Sequence, residues 1–123
     1  MKTKLIKKKI LCFDLDNVIC TTQGRNYHNS KPKKNVIRLI NDLYNSGHTI
    51  KIFTARYMGR NNDVIDKAIK QGYNFTKNQI NSWGLKYHNL LLGKPTYDIF
   101  VDDRSDNFKK NWYINFKKRN KII

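Results

Sequence analysis

A chain of 123 residues has room for one core and little more. Hydrophobic residues make up 39% of it, enough for a globular interior and too much for a disordered polymer. No apolar run approaches the ~20 residues of a membrane helix, and the basic N-terminus lacks an apolar stretch ending in a small-residue cleavage site. A cytoplasmic protein without membrane insertion is expected.

The formal charge is +16, and all nine acidic residues are aspartate. Such a balance suits nucleic acid or another anionic partner. Lysine and asparagine are abundant throughout, however, and the densest positive runs, Lys2 to Lys9 and Lys117 to Lys121, sit at the two ends, where solvated charge is ordinary. Nucleic acid is therefore a possible partner but not the favoured one. Cys12 and Cys20 form no metal-ligand pattern with the scattered His28, His48 and His88. Cys12, inside an apolar run, is expected to be a small buried hydrophobe.

In chain order, Ile10 to Leu15 (ILCFDL) has the near-continuous apolarity of a strand buried on both faces of a parallel sheet, and it ends in carboxylates. Asn17 to Ser30 is polar and irregular, a loop or small flap. Pro32 opens a helical pattern whose stripe is Val36, Ile37, Leu39, Ile40, Leu43 and Tyr44, with Gly47 placed to end it. Ile50 to Thr54 reads as a second strand, followed by a basic loop through Arg60 and a helix from about Asn62 to Gly72. Thr76 and Gln79 have the form of a capping box, opening a short helix toward Trp83 that Gly84 can close. Leu90 to Leu92 and Ile99 to Val101 supply two more short apolar runs. Asp106 to Lys118 carries Phe108, Trp112, Tyr113 and Phe116 at helical spacing, a closing helix. Alternating strands and helices predict an α/β three-layer sandwich around a mostly parallel Rossmann-like sheet, one domain over residues 1–123.

Ligands of such sheets bind beyond the carboxyl ends of the strands, where this chain places Asp14, Asp16, Thr54, Asp102 and Asp103. Two tight carboxylate pairs, FDLD and FVDD, are costly to gather unless a cation compensates, and hard oxygen ligands suit Mg²⁺.

F-D-L-D-N-V, then I-F-T-A-R, then G-K-P-x-x-D-I-F-V-D-D, over positions 10 to 104, resembles the four-motif signature of the haloacid dehalogenase (HAD) superfamily. I-C-T-T after the first motif and the T-A-R-x-M-G-R loop are similar to those of small phosphatases encoded with bacterial capsule and surface-polysaccharide genes. The resemblance implies a HAD-like fold and a Mg²⁺-dependent phosphomonoester hydrolase that works through an aspartyl-phosphate. Asp14 would be the nucleophile, Asp16 the general acid and base, and Thr54 and Lys94 the groups that steady the transferring phosphoryl. The metal would sit on Asp14, the Asp16 carbonyl, and Asp102 or Asp103, with Asp102 slightly favoured. The intervals between motifs are too short for a large cap domain, so specificity would fall to loops: the flap around Thr21 to His28, and Arg56, Tyr57 and Arg60. A sugar phosphate or similar small metabolite of polysaccharide biosynthesis is the expected substrate. The alternatives are a phosphatase of polynucleotide ends and a non-catalytic nucleic-acid-binding module on the same fold.

Overall fold

The structure, a computed structural model, describes residues 7–106, 111 and 114–119. Strand β1 (Ile10–Phe13) leads into a small antiparallel ribbon, β2 (Cys20–Thr21) with β3 (Lys31–Pro32), whose connection includes a 3₁₀ turn at Tyr27–Asn29. Helix α1 (Lys34–Asn45), β4 (Thr49–Thr54), α2 (Ile65–Ser82) and β5 (Asn89–Leu92) follow, and α3 is a single turn at Phe116–Arg119. β1 pairs parallel with β4, and β4 with β5, in the order β1-β4-β5. Parallel neighbours need crossover connections, which α1 and α2 provide.

Register and alternation place Leu11, Phe13, Ile50, Ile52, Leu90 and Leu92 on one face of the sheet. That face meets Ile37 and Ile40 of α1 and Ile80 of α2 in the main core, which Leu15, Ile19, Cys20 and Leu85 extend. Ile10 is 69% exposed and Leu91 41% exposed on the opposite face, and Cys12 is exposed as well. Among the described residues only one face of the sheet is covered by helices. β1 is shorter than the expected Ile10 to Leu15 and, among the described residues, lies at a sheet edge with its second face uncovered. Cys12, pointing away from the helices, is not the buried residue that its apolar neighbours suggest. Ile99, Phe100 and Val101 form no strand and are exposed.

The first helix starts at Lys34, since Pro32 is spent in β3, and Leu39 of its stripe stays exposed. The expected break between Gly72 and a helix capped by Thr76 is absent; α2 runs through all 18 residues to Ser82. Gly72 does not stop the helix because its bare backbone makes room for a ring: a Cβ there would lie 1.9 Å from Cδ2 of Tyr57. Thr76 is fully buried within the helix rather than capping it. Gly84 does follow the helix end, at φ +76°. Of the expected closing helix, Phe108, Trp112 and Tyr113 lie outside the described residues.

Two of the three histidines serve the backbone. Nδ1 of His48 accepts from the amide of Lys9 at 3.1 Å, and Nδ1 of His88 accepts from the amide of Ile50 at 3.0 Å.

Candidate active site

β1 ends at Phe13, so Asp14 is the first residue past its carboxyl end. Its Oδ1 accepts from the backbone amide of Leu15 at 2.7 Å, and its Oδ2 lies 3.3 Å from Nζ of Lys94. Lys94 reaches it because Gly93, at φ +109°, turns the chain off the end of β5, and the Lys94 amide donates to the carbonyl of Thr54 at 3.3 Å. The ends of β1, β4 and β5 thus bring Asp14, Thr54 and Lys94 together. Burial pulls the Lys94 ammonium pKa down, but Tyr97 and Asp14 outweigh it and leave the value above the ordinary 10.5. Lys94 is a cation at neutral pH. Thr54 is fully buried, and its hydroxyl accepts from the amide of Arg56 at 3.1 Å.

Asp16 does not continue the strand. The carbonyl of Leu15 accepts from the amides of Val18, Ile19 and Cys20, and Asn17 adopts φ +65°, so the chain turns sharply after the first carboxylate. Asp16 faces Arg56 across this turn. Nη2 of Arg56 lies 2.9 Å from Oδ1, and Nε lies 3.0 Å from Oδ2. Thr22 also donates to Oδ1, at 2.6 Å. The side chains of Asp14 and Asp16 remain 31% and 21% exposed, so each carboxylate is reachable from solvent.

The second acidic pair sits in a different environment. Oδ1 of Asp102 accepts from the amide of Arg104 at 3.1 Å, and that bond, with a smaller contribution from Asp103, holds the Asp102 carboxyl below the usual carboxylate range. Partial desolvation raises the Cys12 thiol above its ordinary value; Lys94 and Lys51 oppose the rise, while Asp14 and Asp102 add to it. Among the described residues no three His, Cys or Asp side chains gather into a cation cage. Mg²⁺ needs less than that, since one or two carboxylates, a carbonyl and waters complete its octahedron. Asp14, partly exposed at the end of β1, supplies one such carboxylate.

The three loop residues expected to contact substrate part ways. Arg56 is 1% exposed, with its guanidinium committed to protein groups. Tyr57 is also buried, its ring 5.1 Å from that of Tyr27 and lodged against Gly72. Arg60 alone is exposed, its guanidinium carbon 4.7 Å from the Tyr57 ring centroid. In the flap, Thr21, Gln23, Asn26, Asn29 and Lys31 line a polar cavity of about 290 Å³.

Sequence reasoning missed two features. Tyr97 and Phe100 are exposed, their rings 5.1 Å apart, with Nζ of Lys94 at 5.0 and 5.2 Å from the two centroids. The other is the role of Gln79 and Ser30 behind Arg56, at 2.6 and 3.2 Å; these partners are 23 and 26 residues away, and no local pattern announces them.

No family model matches the chain, and no curated protein does. Among solved structures it is similar to a crystal structure of a structural-genomics target from Vibrio cholerae, with a TM-score of 0.73 at 24% identity, covering 92% of this chain and 99% of that one. That likeness is one of fold.

Proposed function

We propose that this chain is a HAD-type, Mg²⁺-dependent phosphomonoester hydrolase with Asp14 as its nucleophile. The observation that carries the reading is the partly exposed Asp14 carboxylate at the end of β1 with the Lys94 ammonium 3.3 Å away, beside a second carboxylate held by Arg56. The four ordered motifs support it. An Asp14 oxygen attacks phosphorus, the bond to the leaving oxygen breaks, and Asp16 delivers a proton to that oxygen. Water then attacks the same phosphorus, Asp16 takes its proton, and the Asp14 carboxylate is released. Lys94 offsets the negative charge that accumulates between nucleophile and phosphoryl group. Asp14, the Asp16 carbonyl, and Asp102 or Asp103 would hold Mg²⁺, which when bound screens the repulsion between carboxylate and phosphate.

The finer fold reading is a three-layer sandwich. It draws support from the apolar, helix-free face bearing Ile10 and Leu91, because parallel sheets are ordinarily covered on both sides.

A sugar phosphate or related metabolite of polysaccharide biosynthesis is the favoured substrate, on the strength of the I-C-T-T and T-A-R-x-M-G-R segments. A second reading, a phosphatase of polynucleotide ends, is favoured by the exposed Tyr97 and Phe100 pair beside Lys94, since exposed rings can stack bases. Phosphate release from p-nitrophenyl phosphate, with and without Mg²⁺, in wild type and Asp14→Asn, tests the chemistry. Turnover that requires both metal and Asp14 is expected; turnover surviving Asp14→Asn, or none from any phosphomonoester by the folded protein, refutes it. Activity that falls steeply with salt on 3′-phosphorylated oligonucleotides alone would select the second substrate class.

A further inference from the structure

Arg56 is the most completely enclosed charge among the described residues, and it lies in a loop where a solvated arginine is ordinary. Each of its three nitrogens has a hydrogen-bond partner. Nε donates to Oδ1 and Oδ2 of Asp16 at 3.2 and 3.0 Å. Nη1 donates to Oε1 of Gln79 at 2.6 Å, and Nη2 to Oδ1 of Asp16 at 2.9 Å and to Oγ of Ser30 at 3.2 Å. The Arg56 Cζ lies 4.7 Å from the centroid of the Tyr27 ring, and Nε2 of Gln79 is itself tied to the Tyr27 carbonyl at 2.7 Å. The guanidinium is thus clamped by α2 on one side and by the flap on the other.

The hydroxyls fix a direction within this cluster. Thr22 has one hydroxyl hydrogen, and it goes to Oδ1 of Asp16. The 2.6 Å contact between Thr22 and Ser30 must then be donated by Ser30, which in turn accepts from Arg56. Arg56 donates to Ser30, Ser30 to Thr22 and Thr22 to Asp16, a relay that ends on the same carboxylate Arg56 holds directly. It converges on Oδ1, which receives two Arg56 nitrogens and a hydroxyl, whereas Oδ2 receives only Nε.

We infer that Arg56 is a positioning residue for Asp16: the bracket of Gln79, Ser30 and Tyr27 locks the guanidinium, and the guanidinium locks the carboxylate with Oδ2 left for proton transfer. This rests on the phosphatase reading above. Arg56 touches no substrate, and its contribution passes entirely through Asp16. Lysine cannot replace it, because a point charge with three rotating donors does not reproduce the planar fork.

The test compares Arg56→Lys, Gln79→Leu and Ser30→Ala with wild type on two substrates. p-Nitrophenyl phosphate has a leaving group that needs little protonation; glycerol phosphate has an alkoxide that needs a full proton. Positioned general acids contribute roughly 10²–10⁴-fold, so Arg56→Lys should lower kcat on glycerol phosphate by about 100-fold or more. On p-nitrophenyl phosphate the loss in nitrophenolate release within a single turnover, which precedes the hydrolysis step both substrates share, should stay below about tenfold, with KM within about twofold on both substrates. In an Asp16→Asn background, Arg56→Lys should cost nothing further. Should Arg56→Lys fail to fold by circular dichroism, Gln79→Leu and Ser30→Ala carry the same comparison, with about a tenfold loss confined to glycerol phosphate. A rise in KM with kcat intact, an equal loss on both substrates in the leaving-group step, or an additional loss in the Asp16→Asn background overturns the inference while leaving the phosphatase standing. A folded wild type without Asp14-dependent turnover removes both.

Discussion

Replacing Gly72 by alanine tests the most demanding contact in the loop that follows β4. The new methyl would lie 1.9, 2.1 and 2.6 Å from Cδ2, Cε2 and Cγ of Tyr57, so the ring has to retreat by about 1.5 Å to reach ordinary van der Waals distance. It has little freedom to do so, because it packs on Tyr27 and under Arg60 and its backbone is held at φ +67°. Forcing a group into a filled site costs typically about 1–3 kcal/mol, and expelling a buried ring costs a comparable amount. Against this stands the gain of about 0.5–1 kcal/mol from alanine over glycine in a helix interior. The steric cost wins, so Gly72→Ala should lower stability by about 1–2 kcal/mol, some 4–15 °C in Tm for a domain near this size. Thermal unfolding followed by circular dichroism measures it. The sign should reverse in a Tyr57→Gly background, where no ring remains and the helix-propensity gain acts alone. A Gly72→Ala variant that is more stable than wild type, or equal losses in both backgrounds, would show that the ring does not occupy the glycine niche.

Three further outcomes follow from single sites. Thr76→Val should leave stability unchanged or raise it by about 1 kcal/mol in urea unfolding, because the Thr76 hydroxyl is buried without a partner and valine keeps its shape. One thiol should react with a disulfide reagent in the native protein and a second only after unfolding: Cys12 is exposed, whereas Cys20 is enclosed and burial pushes its thiol up. Because the Lys94 pKa is raised in the folded protein, its stabilising contribution is fully present below 10.5 and is lost as pH rises through the folded value. The stability gap between wild type and Lys94→Met should therefore hold across neutral pH and close above pH 10.5.

The strands and helices of the β-α-β-α-β portion were legible because they depend on local periodicity: α1 lies over its apolar stripe, and β4 and β5 coincide with short apolar runs. Asp14 was legible for the same reason, since a carboxylate after an apolar strand sits at a sheet edge by geometry alone. The failures share a different cause. Thr76 and Gln79 match a cap locally, but each is used over long range, one buried and the other reaching Arg56 and Tyr27. Gly72 looks like a helix stop until Tyr57 is placed against it. Arg56 looks like a solvated loop charge until Asp16, 40 residues earlier, is brought beside it. Periodicity reports what an element needs from its own neighbours, and these residues answer to other elements.

The two carboxylates of the proposed chemistry have unlike counter-ions, and the difference matches the work each would do. A nucleophile must release its counter-ion as its oxygen bonds to phosphorus, so a single ammonium contact at 3.3 Å suits Asp14: it compensates charge without binding both oxygens. An acid and base returns to the same geometry twice per turnover, so a planar fork suits Asp16. Exchanging the first counter-ion for the second kind should therefore be harmful even though charge is conserved. Lys94→Arg would offer Asp14 a bidentate partner and crowd Tyr97 and Phe100, which lie about 5 Å from the ammonium. Phosphate release by Lys94→Arg should fall at least ~10-fold, through kcat, with folding intact by circular dichroism. Wild-type turnover in that variant would mean that only net charge at this position matters and that the distinction between the two ion pairs carries no chemistry.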